Sequence, residues 1–132
     1  MNQFLLDSNA VIALINPAED RVVRVVERHR RADIFTSSIV MHELCFGAYK
    51  SRAPAKNLRL LEQVDLTILP FGPDDAREAG RVRALLAMRG TPIGPYDVLI
   101  AGQALARGLV LVTHNVGEFS SVPGLRIEDW QA

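Results

Sequence analysis

The chain has 132 residues, 48% of them hydrophobic, enough for one compact domain over 1–132 whose core needs no disulfide or metal staple. Fifteen Lys and Arg balance fifteen Asp and Glu, so the overall charge gives no ground for bulk attraction to nucleic acid or membrane, and only local patches stay open. The single cysteine, Cys45, cannot close an intrachain disulfide; with no signal-peptide pattern and no apolar run of the roughly 18–20 residues a membrane span needs, the expected location is the cytoplasm.

Short apolar runs at 4–6 (FLL), 33–36 (DIFT), 66–69 (LTIL), 109–113 (LVLVT) and, more weakly, 125–127 (LRI) read as strands. Helical spacing occupies 10–15, 20–31, 38–50, 55–64, 74–89 and 96–107. Ser37 or Ser38 is placed to cap one helix, Pro73 precedes an acidic first turn in another, and Gly90 and Gly108 follow last turns. Strands alternating with helices predict an α/β fold with a mostly parallel sheet covered on both faces. Such sheets bind ligands beyond the carboxyl ends of their strands, which is where Asp7 falls, together with Thr113, His114 and Asn115.

Asp7 interrupts FLLDSNAVIALI at the junction of a strand and a helix. Asp, Ser and Asn are all good N-caps, so Asp7, Ser8 and Asn9 read equally well as capping groups and as a site. Asp97 is harder to dismiss. At about 100° per residue it shares a stripe with Ile100, Ala101 and Ala104, and a carboxylate turned inward is costly without a partner or a cation. Its alternative role is a first-turn acid that complements the helix dipole. Glu43 borders the stripe of Val40, Met41, Leu44, Cys45 and Ala48, with the helix-weakening Gly47 one turn on, and also reads as a solvated helix acid. Glu118, ahead of Phe119, reads as a surface acid. Gathered at one sheet edge, these acids would form a hard oxygen site suited to Mg²⁺ or Mn²⁺, able to orient water and offset the charge of phosphodiester cleavage. Of the histidines only His114 lies near that edge, and it reads as a bystander or a substrate contact.

The stretches FLLDSN, SSIVMHELCFGA, PIGPYDVLIAGQALARGLVLVTHNVGEF and LRIEDW, in this order and spacing, resemble the VapC-type toxins, PIN-domain ribonucleases of bacterial toxin-antitoxin pairs. The resemblance runs almost end to end. It implies a PIN-like three-layer α/β/α sandwich and a Mg²⁺-dependent endoribonuclease, with Mn²⁺ able to substitute, commonly dimeric and held inactive by a cognate antitoxin. By position it places the acids of the site on Asp7, Glu43, Asp97 and Glu118. Asp7 and Asp97 would bind metal; Glu43 would complete the shell or act as general base. The residue after Thr113 is His114 rather than an acid, which leaves Glu118 or Asn115 to complete the site. Ser8, Asn9 and Thr113 are candidates for contacts to metal-bound water or phosphate.

Basic residues concentrate at 21–31, where interleaved acids imply a salt-bridged surface helix, and at 49–59, where acids are fewer. Lys50, Arg52, Lys56 and Arg59 are therefore the expected RNA-backbone rim, giving affinity without sequence choice. Two rival enzyme classes fit poorly. A phosphoacceptor receiver domain needs a lysine after a late strand, but none follows Lys56, and a haloacid-dehalogenase-type phosphatase needs an acid where Asn9 stands. A catalytically silent PIN-fold module remains the other reading.

Overall fold

The computed structural model describes residues 2–16 and 18–132. The chain runs β1 (Phe4–Leu6), α1 (Ser8–Ile15), α2 (Arg21–Glu27), a 3-10 turn (Arg31–Asp33), β2 (Ile34–Ser37), α3 (Ser38–Lys50) and α4 (Pro54–Glu62). It continues through β3 (Thr67–Leu69), α5 (Pro73–Met88), α6 (Pro95–Arg107), β4 (Val110–Val112), α7 (Val116–Phe119) and β5 (Ile127–Glu128). The five strands form one sheet in the order β3-β2-β1-β4-β5, and every pairing is parallel, Phe4 lying opposite both Ile34 and Val110. Parallel strands need crossovers, and the helices supply them, burying both faces of the central strands β1 and β4.

The predicted elements all form, with shifted ends. The second helix stops at Glu27 rather than reaching residue 31, because its apolar anchors, Val22 and Val26, are spent there and His29 turns over Phe4 and Trp130. Asp33 belongs to the 3-10 turn, so β2 starts one residue late. The last strand is Ile127–Glu128, fixed by pairing of Ile127 with Leu111. The four-residue α7, too short for any periodicity, has no counterpart in the sequence reading and is anchored by the buried Phe119. Cys45 is half-buried rather than enclosed.

From β1 the chain builds outward to β2 and β3, then returns to the other side of β1 as β4. The order therefore reverses between β1 and β4, and the crevice of such a sheet opens beyond the carboxyl ends of that pair. Two helices frame it. α5 and α6 pack so closely that a Cβ placed on Gly102 would lie 2.4 Å from the Cα of Ala79, so only glycine permits this approach. Beyond that contact the Asp75 carboxylate, 2% exposed, accepts from Arg107 Nε at 3.1 Å and Nη2 at 2.9 Å, and from the Gly72 amide at 2.8 Å. Gln103 Nε2 donates to Pro70 O at 3.1 Å and Asp75 Oδ2 at 3.3 Å, which accounts for a fully buried glutamine on an otherwise apolar face.

Candidate active site

Asp7 follows β1 directly. Its amide donates to Val112 O at 3.1 Å, extending the β1–β4 ladder, and its Oδ1 accepts from the Ala10 amide at 3.0 Å as the N-cap of α1. Capping therefore uses one carboxylate oxygen, not the whole group. Asp7 is 6% exposed, and burial raises its pKa, opposed by hydrogen bonds from the Thr113 hydroxyl and the Ala10 and Asn9 amides. No arginine or lysine offsets it.

Asp97 sits in the first turn of α6, which Gly94 and Pro95 start. Its pKa is pushed up to about 7, first by burial, then by its hydrogen bond and charge contact with Glu118, and then by the charges of Glu43 and Asp7. Asp97 thus feels all three other acids. Glu118 is held below the usual range, chiefly by the Gly94 amide, which donates to its Oε1 at 2.8 Å; Asn115 Nδ2 donates to Oε2 at 2.6 Å. The two carboxyls therefore titrate as an interacting pair, Asp97 pushed up and Glu118 held down. Glu43 enters from α3, half-buried, with Ser8 Oγ donating to its Oε1 at 3.2 Å.

The four acids come from the β1–α1 junction, α3, α6 and α7, and electrostatics tie them to one locality. Among the described residues no three His, Cys, Asp or Glu side chains already stand as a finished ligand set. The donor chemistry nevertheless suits a hard divalent cation: the four acids are carboxylates, and burial with the neighbouring negative charges disfavours ionised Asp97 in the absence of a cation. An ion such as Mg²⁺ needs only one or two protein carboxylates and keeps several waters, so a complete protein cage is not required.

The supporting residues divide by what they touch. Ser8 steadies Glu43. Thr113, 1% exposed, joins Asp7 to the Asn115 amide, which donates to its hydroxyl at 3.0 Å. Asn115 and Glu118 are joined, the Asn115 amide donating to the carboxylate. Asn9 turns to a separate recess beside His114. Lys50, Arg52, Lys56 and Arg59 are all exposed, Lys50 Nζ lying 5.1 Å from the centre of the Phe46 ring. Lys50 lies about 10 Å along α3 from Glu43 at the helical rise.

Two contributors escaped the sequence reading. Gly94 supplies an amide to Glu118 where a Cβ would stand 3.1 Å from Asp97 Oδ2; a glycine before a helix-starting proline was the available signal. Asp129 adds to the charge felt by Asp7 and pairs with His114 at 3.0 Å, a contact across 15 residues that no local pattern announces. Gly47, by contrast, faces open space. It floors an apolar groove of about 470 Å³ between α1, α3 and α4, lined by Ile12, Ile15, Leu44, Leu60 and Leu61 and ending at Ser8 and Glu43.

Comparison with known proteins bears on the family and the fold. The PIN domain family matches residues 4–125. The chain is 43% identical to the tRNA(fMet)-specific endonuclease VapC of Salmonella typhimurium, covering 98% of this chain and 99% of that protein, and 40% identical to the protein of the same name from Shigella flexneri over equal shares. The crystal structure of DNA-bound VapBC from Salmonella typhimurium superposes with a TM-score of 0.91, again over 98% of this chain and 99% of that one. A parallel sheet whose reversal point gathers four carboxylates, matched along its whole length by such relatives, places this chain in the VapC family of PIN-domain ribonucleases.

Proposed function

We propose that the protein is a Mg²⁺-dependent endoribonuclease, with Mn²⁺ able to substitute, acting as the toxin of a toxin-antitoxin pair in the cytoplasm. One observation carries the reading: Asp97 is loaded by three neighbouring acids, Glu118, Glu43 and Asp7, with no basic side chain to balance them. Structural carboxylates are not assembled in this way, because the repulsion is a cost until a cation enters.

Asp7 and Asp97 would hold the ion, which when bound supplies a polarised water and positive charge against the phosphate. Glu43, oriented by Ser8, is placed to accept the proton of the attacking water. Glu118, tethered by Gly94 and Asn115, fixes Asp97. Thr113 fixes Asp7. Lys50, Arg52, Lys56 and Arg59 would contact the RNA backbone beyond the cut.

The apolar groove between α1, α3 and α4 suits an apolar antitoxin segment, because it runs to Glu43 and an occupant there closes the approach to the acids. The full-length likeness to a chain of a VapBC complex supports such a partner, and dimerisation of the toxin belongs to the same reading.

The test is incubation of purified protein with total RNA and with initiator tRNA, the latter chosen because two relatives are named for tRNA(fMet). Discrete cuts that need Mg²⁺ or Mn²⁺, stop with chelator and vanish in Asp7→Asn and Asp97→Asn are expected. RNA binding without cleavage would return the protein to the silent-module reading.

A further inference from the structure

Beside the acid cluster, on the flank opposite the apolar groove across Ile12, lies a second recess of about 330 Å³, lined by Asn9, Ile12, Asn16, Glu19, His114 and Gln131. It adjoins the reaction centre through both of its walls. Asn9 is two residues beyond Asp7, and His114 directly follows Thr113, whose hydroxyl bonds Asp7. His114 is not free to swing: Asp129 Oδ2 lies 3.0 Å from its Nδ1. Because a carboxylate accepts only, the Nδ1–H donates to Asp129, and Nε2 and the ring face are left for a ligand.

The lining says which ligand. Among the described lining residues the carboxylate is that of Glu19, which accepts from the Arg21 amide at 3.0 Å and lies 4.0 Å from Arg21 Nε, so the balanced pair gives a phosphate no net attraction. What the walls offer is amides, a carboxylate, an aromatic ring and the apolar side of Ile12. Asn16 Oδ1 is engaged by the Ala18 amide, which leaves its NH₂ to donate outward. Gln131 also lines the recess, its side-chain Oε1 buried without a hydrogen-bond partner. A flat neutral heterocycle with donors and acceptors along its edge answers each of these features, and single-stranded RNA is read by such stacking and edge contacts.

We propose that this recess is a nucleobase subsite, taking the base of one nucleotide beside the cleaved phosphate, with His114 as its stacking face and Asn16 and Gln131 against its edge. The assignment rests on the ribonuclease reading and supplies what that reading lacks, a source of base choice, since the carboxylates and the basic rim touch only the backbone.

The test uses the full chain and a random-sequence pool of short single-stranded RNAs, sequenced after Mg²⁺-dependent cleavage. The wild type should show a base preference at one position flanking the cut. In His114→Ala and in Gln131→Ala that preference should fall roughly 10-fold, the size of one lost base contact, while cleavage persists. As a readout free of chemistry, removing the base at that position should weaken RNA binding to Asp7→Asn roughly 10-fold, and much less to Asp7→Asn/His114→Ala. Absence of any preference, or a preference unchanged in both variants while cleavage still depends on Asp7, overturns the subsite alone. Cleavage of the pool by Asp7→Asn would overturn the ribonuclease reading instead.

Discussion

Two carboxylates near opposite ends of α6 have opposite fates: the buried Asp75, which reaches Arg107 from α5, and the half-buried Asp97 in the first turn. At Asp75, burial alone would raise the pKa, but the Arg107 guanidinium, the Gly72 amide and Gln103 bring it below the ordinary value. At Asp97 nothing counters burial; the neighbours are acids and push the same way, to about 7. The first group is a finished ion pair, its carboxylate bonded to the Arg107 guanidinium, the Gly72 amide and Gln103. The second is unfinished, and what completes it must come from outside the chain. The pair teaches that burial of an acid does not mark function; burial without a compensating cation does.

The comparison breaks most visibly at the unfinished end. Asp7→Asn or Asp97→Asn should lower RNA cleavage on the order of 10²–10³-fold, as loss of one element of charge stabilisation does, without lowering Tm, because each removes a strained charge; gel assays beside thermal denaturation check both halves. At the finished end the outcome inverts. Arg107→Ala strands a buried Asp75 and should cost about 3 kcal/mol in chemical denaturation, while the fraction still folded cleaves at the wild-type rate. Between the two, Gly102→Ala forces a methyl onto the Ala79 backbone and should cost roughly 1–3 kcal/mol by the same measurement. The sharpest discriminator is the pH dependence of stability. A carboxyl whose folded pKa is raised binds more protons folded than unfolded, so its contribution is full below the unfolded value near 3.8 and falls as pH rises toward about 7. Denaturation in chelator across that window should show wild-type stability declining with pH relative to Asp97→Asn. Asp75, whose pKa is lowered, acts with the opposite sign: its contribution is present above its unfolded value and disappears as acid protonates it, below that window.

How much of this was legible depended on distance along the chain. Elements with ten or more periodic residues, such as α3 and α5, announced themselves, because helical spacing is a local property. Asp97 was legible for the same reason: its conflict with Ile100, Ala101 and Ala104 is written within one helix. The reach of Glu118 to Gly94, 24 residues back, and of Asp129 to His114 was not, since both depend on where α7 and β5 dock. Gln103 shows the converse. It sits fully buried among apolar neighbours, and only the Pro70 carbonyl and Asp75, more than two dozen residues away, explain it. Asp7 was legible in position and ambiguous in role, and the structure shows why: the capping bond and the site share one side chain.

The near-contact of Gly102 with Ala79 ties α6 to α5 five residues from Asp97, backbone against backbone. A rod clamped there cannot yield at one end without moving the other, so bulk added on the far side of the molecule will displace the acid. Survivors recovered from cells forced to produce the active chain without its antidote should therefore carry lesions at codons 79 and 102 as well as at the acids themselves. Resistance of that kind would report on alignment rather than on chemistry.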